Sequence, residues 1–214
     1  MVTVKLYGMD YSPRAQRVWI TAHEIGVNVT LVPTDLNKGE HRDPDYISTK
    51  HPFGTIPALE DEDGTIVYES RAICRYLVTK YGKDSPLLPG VSDLKAYVAF
   101  EQAASIEYSV FDPPASAVVY ERVVVPIYGG TPNEELIKKH TDNLKAKMEG
   151  YELILSKQKY LGGNTLTLAD LFHIPYGSLI SQLEPDILSS KPHVKAWWND
   201  ISSRESWKAT PRYM

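Results

Sequence analysis

"HPFGTIPALEDEDGTIVYESRAICRYL", residues 51–77, holds two strands and the opening of a helix in one run. Within it, "IPALED" and "TIVY" flank the turn "EDG", the pattern of an antiparallel hairpin. Pro57 enters the first strand, where it has no N–H to give a ladder, so that strand start faces something other than a neighbouring strand. The helix runs on as "ESRAICRYLVTKYG", with Ile73, Leu77 and Tyr81 on one side. Upstream, "TVKLY" is strand-like and "RAQRVWITAHEIG" is helical, with Val18, Ala22 and Ile25 on one face and Gly26 as its stop. "VNVTLVP" is a further strand, rich in β-branched residues and closed by proline. The stretch "DLNKGEHRDPDYISTKHPFGT" is too broken for a long regular element. The order β-α-β and then β-β-α predicts a small α/β domain on a four-stranded mixed sheet, residues 1–83.

Beyond this unit, "KDSPLLPG" interrupts the helical pattern with two prolines and a glycine, which sets a linker at 84–91. "SDLKAYVAFEQAASIEYSVFD" and "NEELIKKHTDNLKAKMEGYELILSK" are long and amphipathic, while "LTLADLFHIPYGSLISQL" and "HVKAWWNDISSR" are shorter. None alternates with period two, so 92–214 is expected to be all helical.

Of the 214 residues, 43% are apolar and 23% charged, an ordinary globular composition that excludes disorder. A net charge of -4 with scattered basic residues argues against a nucleic-acid surface. The N-terminal "MVTVKLYGM" has neither a basic leader nor a long apolar core, and no stretch approaches the roughly 20 apolar residues that span a bilayer. One cysteine, Cys74, allows no internal disulfide and no thiolate metal cluster. A soluble cytoplasmic protein without a metal, without nucleic-acid or membrane partners, is expected.

The corner "MDYSPRAQRV" places Ser12 before Pro13 at a strand-to-helix junction. Ser suits an N-cap and Pro suits the first helical position, so a capped helix is one reading. The other uses the same geometry for chemistry. A helix N-terminus carries roughly half a positive charge, with unpaired N–H groups pointing outward, and it makes a nearby thiol more acidic. No cysteine stands at this corner, so a reactive sulfur would have to arrive on a thiol cosubstrate. Tyr7 reads as core within its strand, and Tyr11 remains a competing hydroxyl. Glu69-Ser70-Arg71 opens the next helix and makes a second anion site, or an ordinary cap. Free backbone groups at Ile56 would let an extended peptide add alongside.

In order and spacing, "YSPRAQRV", "GEHRDPDYISTKHPFGTIPALED" and "YESRAICRYL" resemble the thioredoxin-like domain of a cytosolic glutathione transferase, nearest the phi class. The likeness continues through "FDPPASAVVYERVVVPIYG", "KYLGGNTLTLADLFHIPY" and "WWNDISSRESW", and so covers essentially the whole chain. It implies that Ser12 holds and activates the sulfur of glutathione, a cosubstrate in an enzyme without a cofactor. It implies that His41 and Arg42 meet the glycyl carboxylate. Ile56, before a proline that is cis in the family, would pair with the cysteinyl unit, and Glu69 and Ser70 would hold the γ-glutamyl end. Thr55 stands where plant phi members usually carry glutamine. Tyr11, Tyr108 and Phe111 are the candidate apolar wall for an electrophile.

Thr167 to Asp170 matches the capping pattern [ST]-x-x-[DE] and is expected to be structural. Cys74 lies on the apolar side of its helix as a buried, inert thiol. His173 reads as a satisfied core histidine, and Trp197 and Trp198 as packing. Pro113-Pro114 should bend or break its helix. The resemblance implies conjugation of the glutathione thiolate to hydrophobic electrophiles, a detoxification role, with peroxide reduction as a side activity and a homodimeric assembly. A non-catalytic glutathione-dependent carrier of hydrophobic small molecules is the alternative. A docking module would have no need of Ser12, Glu69 and Ser70.

Overall fold

The computed structural model describes residues 2–211, and the chain divides into two compact units, Met1–Leu88 with Glu205–Met214, and Pro89–Arg204. The divide between Leu88 and Pro89 falls inside the stretch 84–91 that the prolines mark.

The first unit is built in the order β1 (Thr3–Gly8), α1 (Pro13–Glu24), β2 (Asn28–Pro33), a 3-10 turn (Glu40–Arg42), α2 (Pro44–Thr49), β3 (Ala58–Glu60), β4 (Ile66–Tyr68) and α3 (Ser70–Tyr81). The sheet order is β2-β1-β3-β4, with β1 and β2 parallel and both other pairings antiparallel. This is the expected four-stranded mixed sheet. Along β1, Val4, Leu6 and Gly8 are buried on one face. A methyl placed at Gly8 would lie 3.7 Å from the Ala15 Cβ, so that face looks onto α1. Ile73, Cys74, Leu77 and Val78 of α3 join Ala15, Val18 and Ala22 of α1 in the same core. Each large apolar side chain there contributes roughly 1.5–3 kcal/mol by leaving water. The Cys74 thiol donates to the Arg17 carbonyl, and burial pushes its pKa to about 11, so it is inert as expected.

Lys5 and Tyr7 point to the opposite face, where the Glu60 carboxylate accepts from Lys5, Tyr7 and Lys50. Tyr7 is therefore a half-buried partner of a carboxylate and not the core residue its strand position suggested. At the far side of the hairpin, Asp61 accepts from Tyr76, Tyr81 and Lys80 and ties the β3–β4 turn to α3.

Glu205 onward belongs with this first unit, which departs from the expected 92–214. The short α10 (Glu205–Lys208) packs on α1, Ser206 donates to Glu24, and Gln16 donates to the Pro211 carbonyl at 2.9 Å. These partners are 182 and 195 residues apart in sequence, beyond the reach of local pattern.

The second unit is helical: α4 (Leu94–Ile106), α5 (Asp112–Val119), α6 (Val125–Ile127), α7 (Glu134–Leu155), α8 (Leu168–Leu183) and α9 (Pro192–Ser202). Wide π-helical turns, Glu107–Phe111 and Tyr120–Val124, join α4 to α5 and α5 to α6. Pro113 and Pro114 follow the first turn and Pro126 the second, so each missing N–H falls where the ladder has already changed register. The proline pair shifts the helix rather than ending it. His173 is buried at the centre, its Nδ1 bonded to the Ala169 carbonyl at 2.8 Å and its Nε2 to the Tyr151 hydroxyl at 2.9 Å. Phe111, Tyr151 and Trp197 stack round it. Among the described residues no helix is long and apolar enough to cross a membrane, and no cluster of His, Cys, Asp and Glu is placed to hold a metal.

Candidate functional site

Strand register gathers the predicted residues. Tyr7 pairs with Ala58 and Ala58 with Tyr68, so the exit of β1, the entry to β3 and the exit of β4 share one end of the sheet. Residues 9–12, 55–57 and 69–70 therefore emerge together. A methyl at Gly8 would be 3.7 Å from Pro57 as well as from Ala15, which puts the first turn of α1 beside the entry to β3.

Ser12 is the N-cap of α1, with extended backbone (φ -69°, ψ 120°) and Pro13 next to it. Its Oγ accepts from the Ala15 N–H at a long 3.5 Å, and the residue is half-buried. The hydroxyl is thus lightly held. No acidic side chain stands in the first turn, so the positive end of this helix is not neutralised from within. Tyr11 is also half-buried, with its N–H donated to the Asp10 carboxylate.

The peptide Ile56–Pro57 is cis. Neither the N–H nor the C=O of Ile56 has a hydrogen-bond partner among the described residues, although the residue borders a paired strand. An extended peptide can use both groups as in strand addition. Just before it, the Thr55 carbonyl accepts from the Tyr46 hydroxyl at 2.9 Å, which pins the loop to α2. Gly54 has φ +58° and lies so close to the His41 carbonyl that a Cβ would sit 2.9 Å from its oxygen, so only glycine fits on both counts. That approach brings the 3-10 turn with His41 and Arg42 to the same loop. The His41 Nδ1 is buried without a hydrogen-bond partner, while Arg42 is exposed. A basic pair with one unmet polar atom suits a carboxylate.

Glu69 is the non-glycine residue with positive φ (69°, ψ 111°) among the described residues, at the head of α3. Such backbone costs of order 1–3 kcal/mol and gathers at ligand clamps. No side chain caps α3, and Ser70 is buried at its first turn. The N–H groups of that turn are left for a ligand anion, and the exposed Glu69 carboxylate for a cation.

The two aromatic candidates of the second unit separate. Phe111 is 1% exposed and packs on His173 with ring centroids 4.8 Å apart, so it is a core residue and offers no face to a ligand. Tyr108 is 64% exposed on the π-helical turn. The change of register within that turn sends neighbours at this spacing to different sides.

Sequence reasoning missed His51. It is buried, and its ring lies against Tyr68 at 4.9 Å. Nε2 is 2.8 Å from the Thr55 Oγ1 and 3.8 Å from a Glu69 carboxylate oxygen. The spacing of four between His51 and Thr55 in "HPFGT" was the available signal, but no regular element gave it meaning.

Comparison with known proteins meets this geometry from outside. Residues 6–85 match the family model of the glutathione S-transferase N-terminal domain, and residues 111–205 that of its C-terminal domain. Glutathione S-transferase PM239X14 of Arabidopsis thaliana is 68% identical over 92% of this chain and 91% of its own length. The crystal structure of glutathione transferase F7 from Populus trichocarpa superposes with a TM-score of 0.90 at 36% identity, over 97% of each chain. A structure of glutathione S-transferase-I bound with lactoylglutathione gives a TM-score of 0.90 at 30% identity, over 97% of this chain and 98% of that one. The names are those of transferases, which does not favour the non-catalytic carrier. The chain belongs to the phi class of the glutathione S-transferase family and is a glutathione transferase.

Proposed function

We propose that glutathione lies along the first unit with its sulfur at Ser12, its cysteinyl backbone on Ile56 beside Pro57, its glycyl carboxylate toward His41 and Arg42, and its γ-glutamyl end on Glu69 and Ser70. The observation that carries this is the convergence, at one end of the sheet, of a lightly held hydroxyl, an unpaired residue at a strand entry and an uncapped helix start. Each is an unmet requirement of the fold, and an extended peptide bearing a thiol and two carboxylates meets all three.

The thiol loses its proton to solvent, and Ser12 donates its hydroxyl to the thiolate at the positive end of α1. The sulfur then forms a bond to the electrophilic carbon, and the leaving group departs with its electron pair. Lowering the thiol pKa and holding the two reactants together supply the acceleration. In the side activity the thiolate attacks one oxygen of a hydroperoxide, the O–O bond breaks, and the departing alkoxide takes a proton from solvent to leave as an alcohol. A second glutathione thiol then displaces water from the resulting sulfenic acid to give glutathione disulfide. Hydrophobic small molecules are the second substrate. The family resemblance supports a cytoplasmic homodimer.

Conjugation of glutathione to a nitro-activated aryl chloride tests the assignment. Ser12→Ala should lower kcat on the order of 10²-fold, as loss of one transition-state donor does, with glutathione affinity nearly unchanged. Unchanged turnover in Ser12→Ala together with loss in Tyr11→Phe would transfer the role to Tyr11.

A further inference from the structure

His51 is 1% exposed, yet each ring nitrogen has a defined neighbour. The Phe53 N–H donates to Nδ1 at 3.4 Å. A ring nitrogen that accepts a hydrogen bond carries no proton, so the neutral imidazole bears its proton on Nε2. Burial lowers the His51 pKa, in keeping with a neutral ring. Nε2–H therefore donates to Thr55 Oγ1 across 2.8 Å. Thr55 Oγ1 has no other hydrogen-bond partner among the described residues, and its side chain is exposed. A hydroxyl whose oxygen already receives a donor has its own proton left to give. The nearby Glu69 oxygen is 3.8 Å from Nε2, too far to take that ring proton in place of Thr55.

The direction of that gift follows from the chain. Thr55 stands immediately before Ile56 with its open backbone, and Gly54 holds the loop against the His41 carbonyl. We infer that His51 is a positioning residue of the glutathione site, which makes Thr55 a one-way donor toward a carbonyl or carboxylate oxygen of glutathione lying beside Ile56. A threonine is short for this task, and the buried histidine behind it supplies the orientation that its length does not. His51 touches no ligand and acts only through Thr55.

Because this rests on the glutathione site proposed above, the experiment first titrates glutathione into the unaltered protein by calorimetry. Absence of binding there would overturn the site itself. With binding established, Thr55→Val removes the donor at constant shape, and Thr55→Ser keeps it. Thr55→Val should raise the glutathione Kd and KM about fivefold and leave kcat within about twofold, the effect of one neutral hydrogen bond, while Thr55→Ser stays near the original. His51→Ala should raise Kd and KM by a similar factor, and His51→Ala/Thr55→Val should bind no more weakly than Thr55→Val alone. A Thr55→Val variant with unchanged Kd, or losses that add in the double variant, would overturn the inference. If near-ultraviolet circular dichroism shows that His51→Ala does not fold, His51→Gln, whose amide can still donate, takes its place and should fall between the original and Thr55→Val.

Discussion

Among the described residues two helices have a hydroxyl residue at the N-cap, α1 with Ser12 and α8 with Thr167, and the two starts are used differently. At α8, the Asp170 carboxylate accepts from the Thr167 N–H and hydroxyl, the Leu161 N–H and the Trp197 indole, all within 3.1 Å. Thr167 and Asp170 are both buried, and burial pushes the Asp170 pKa up even with these donors around it. Nothing at that start is open to a ligand. At α1, the cap is one bond of 3.5 Å, the residue is half-buried, and the first turn has no carboxylate. The same capping chemistry thus closes one helix completely and leaves the other with a hydroxyl and a dipole unspent. A satisfied start is structure, and an unsatisfied one at a sheet end is a site.

Removing each cap tests that division. Asp170→Ala strands the Thr167, Leu161 and Trp197 donors in the core, at roughly 1–3 kcal/mol each, so urea unfolding should show a loss of about 4 kcal/mol or failure to fold. A loss below about 1 kcal/mol would make the α8 start no different from that of α1. Ser12→Ala should behave in the opposite way, with under about 1 kcal/mol of stability lost while turnover falls on the order of 10²-fold. Equal and small effects on both readouts would erase the contrast.

Acid sharpens it at a smaller scale. Lys50, then Lys5 and Tyr7, hydrogen-bond the Glu60 carboxylate and lower its pKa from 4.5 to about 2. Its folded pKa lies below its unfolded one, so this contribution is present above pH 4.5 and is lost as pH falls toward 2. Melting temperature should drop across that window, and Glu60→Gln should flatten the drop. An unchanged slope would show that the cluster does not hold the α2 segment to the sheet. The smallest effect is expected at Tyr108→Ala, where stability should stay within about 0.5 kcal/mol, as at exposed positions generally. Phe111→Ala provides the contrast, costing about 3 kcal/mol for a buried ring.

What the sequence disclosed follows the same line between local and distant causes. The sheet and its two helices are legible because apolar periodicity, Gly26 and the "EDG" turn act over a few residues. Ser12 and Glu69 were legible as candidates because strand-to-helix corners announce themselves, and Ile56 because Pro57 marks a strand entry that cannot donate to a ladder. The α2 segment was not, since it is held by Tyr46 on Thr55 and Lys50 on Glu60 instead of by its own pattern. His51 was hidden for that reason. The return of Glu205 onward to α1 rests on Glu24 and Gln16, far away in the chain. Phe111 was placed on the open side because the resemblance sets an apolar wall on this helix, and nothing local in the sequence shows that its ring packs against the buried His173 instead.

The central claim is that the unspent start of α1 activates a sulfur, and thiolate absorbance tests it most directly. Glutathione is added to the pure protein across pH and the ultraviolet difference spectrum is followed. Thiolate should appear well below the ordinary thiol pKa of about 8.5, and Ser12→Ala should move it back toward that value. Glutathione that binds yet stays protonated up to its ordinary pKa would contradict the account.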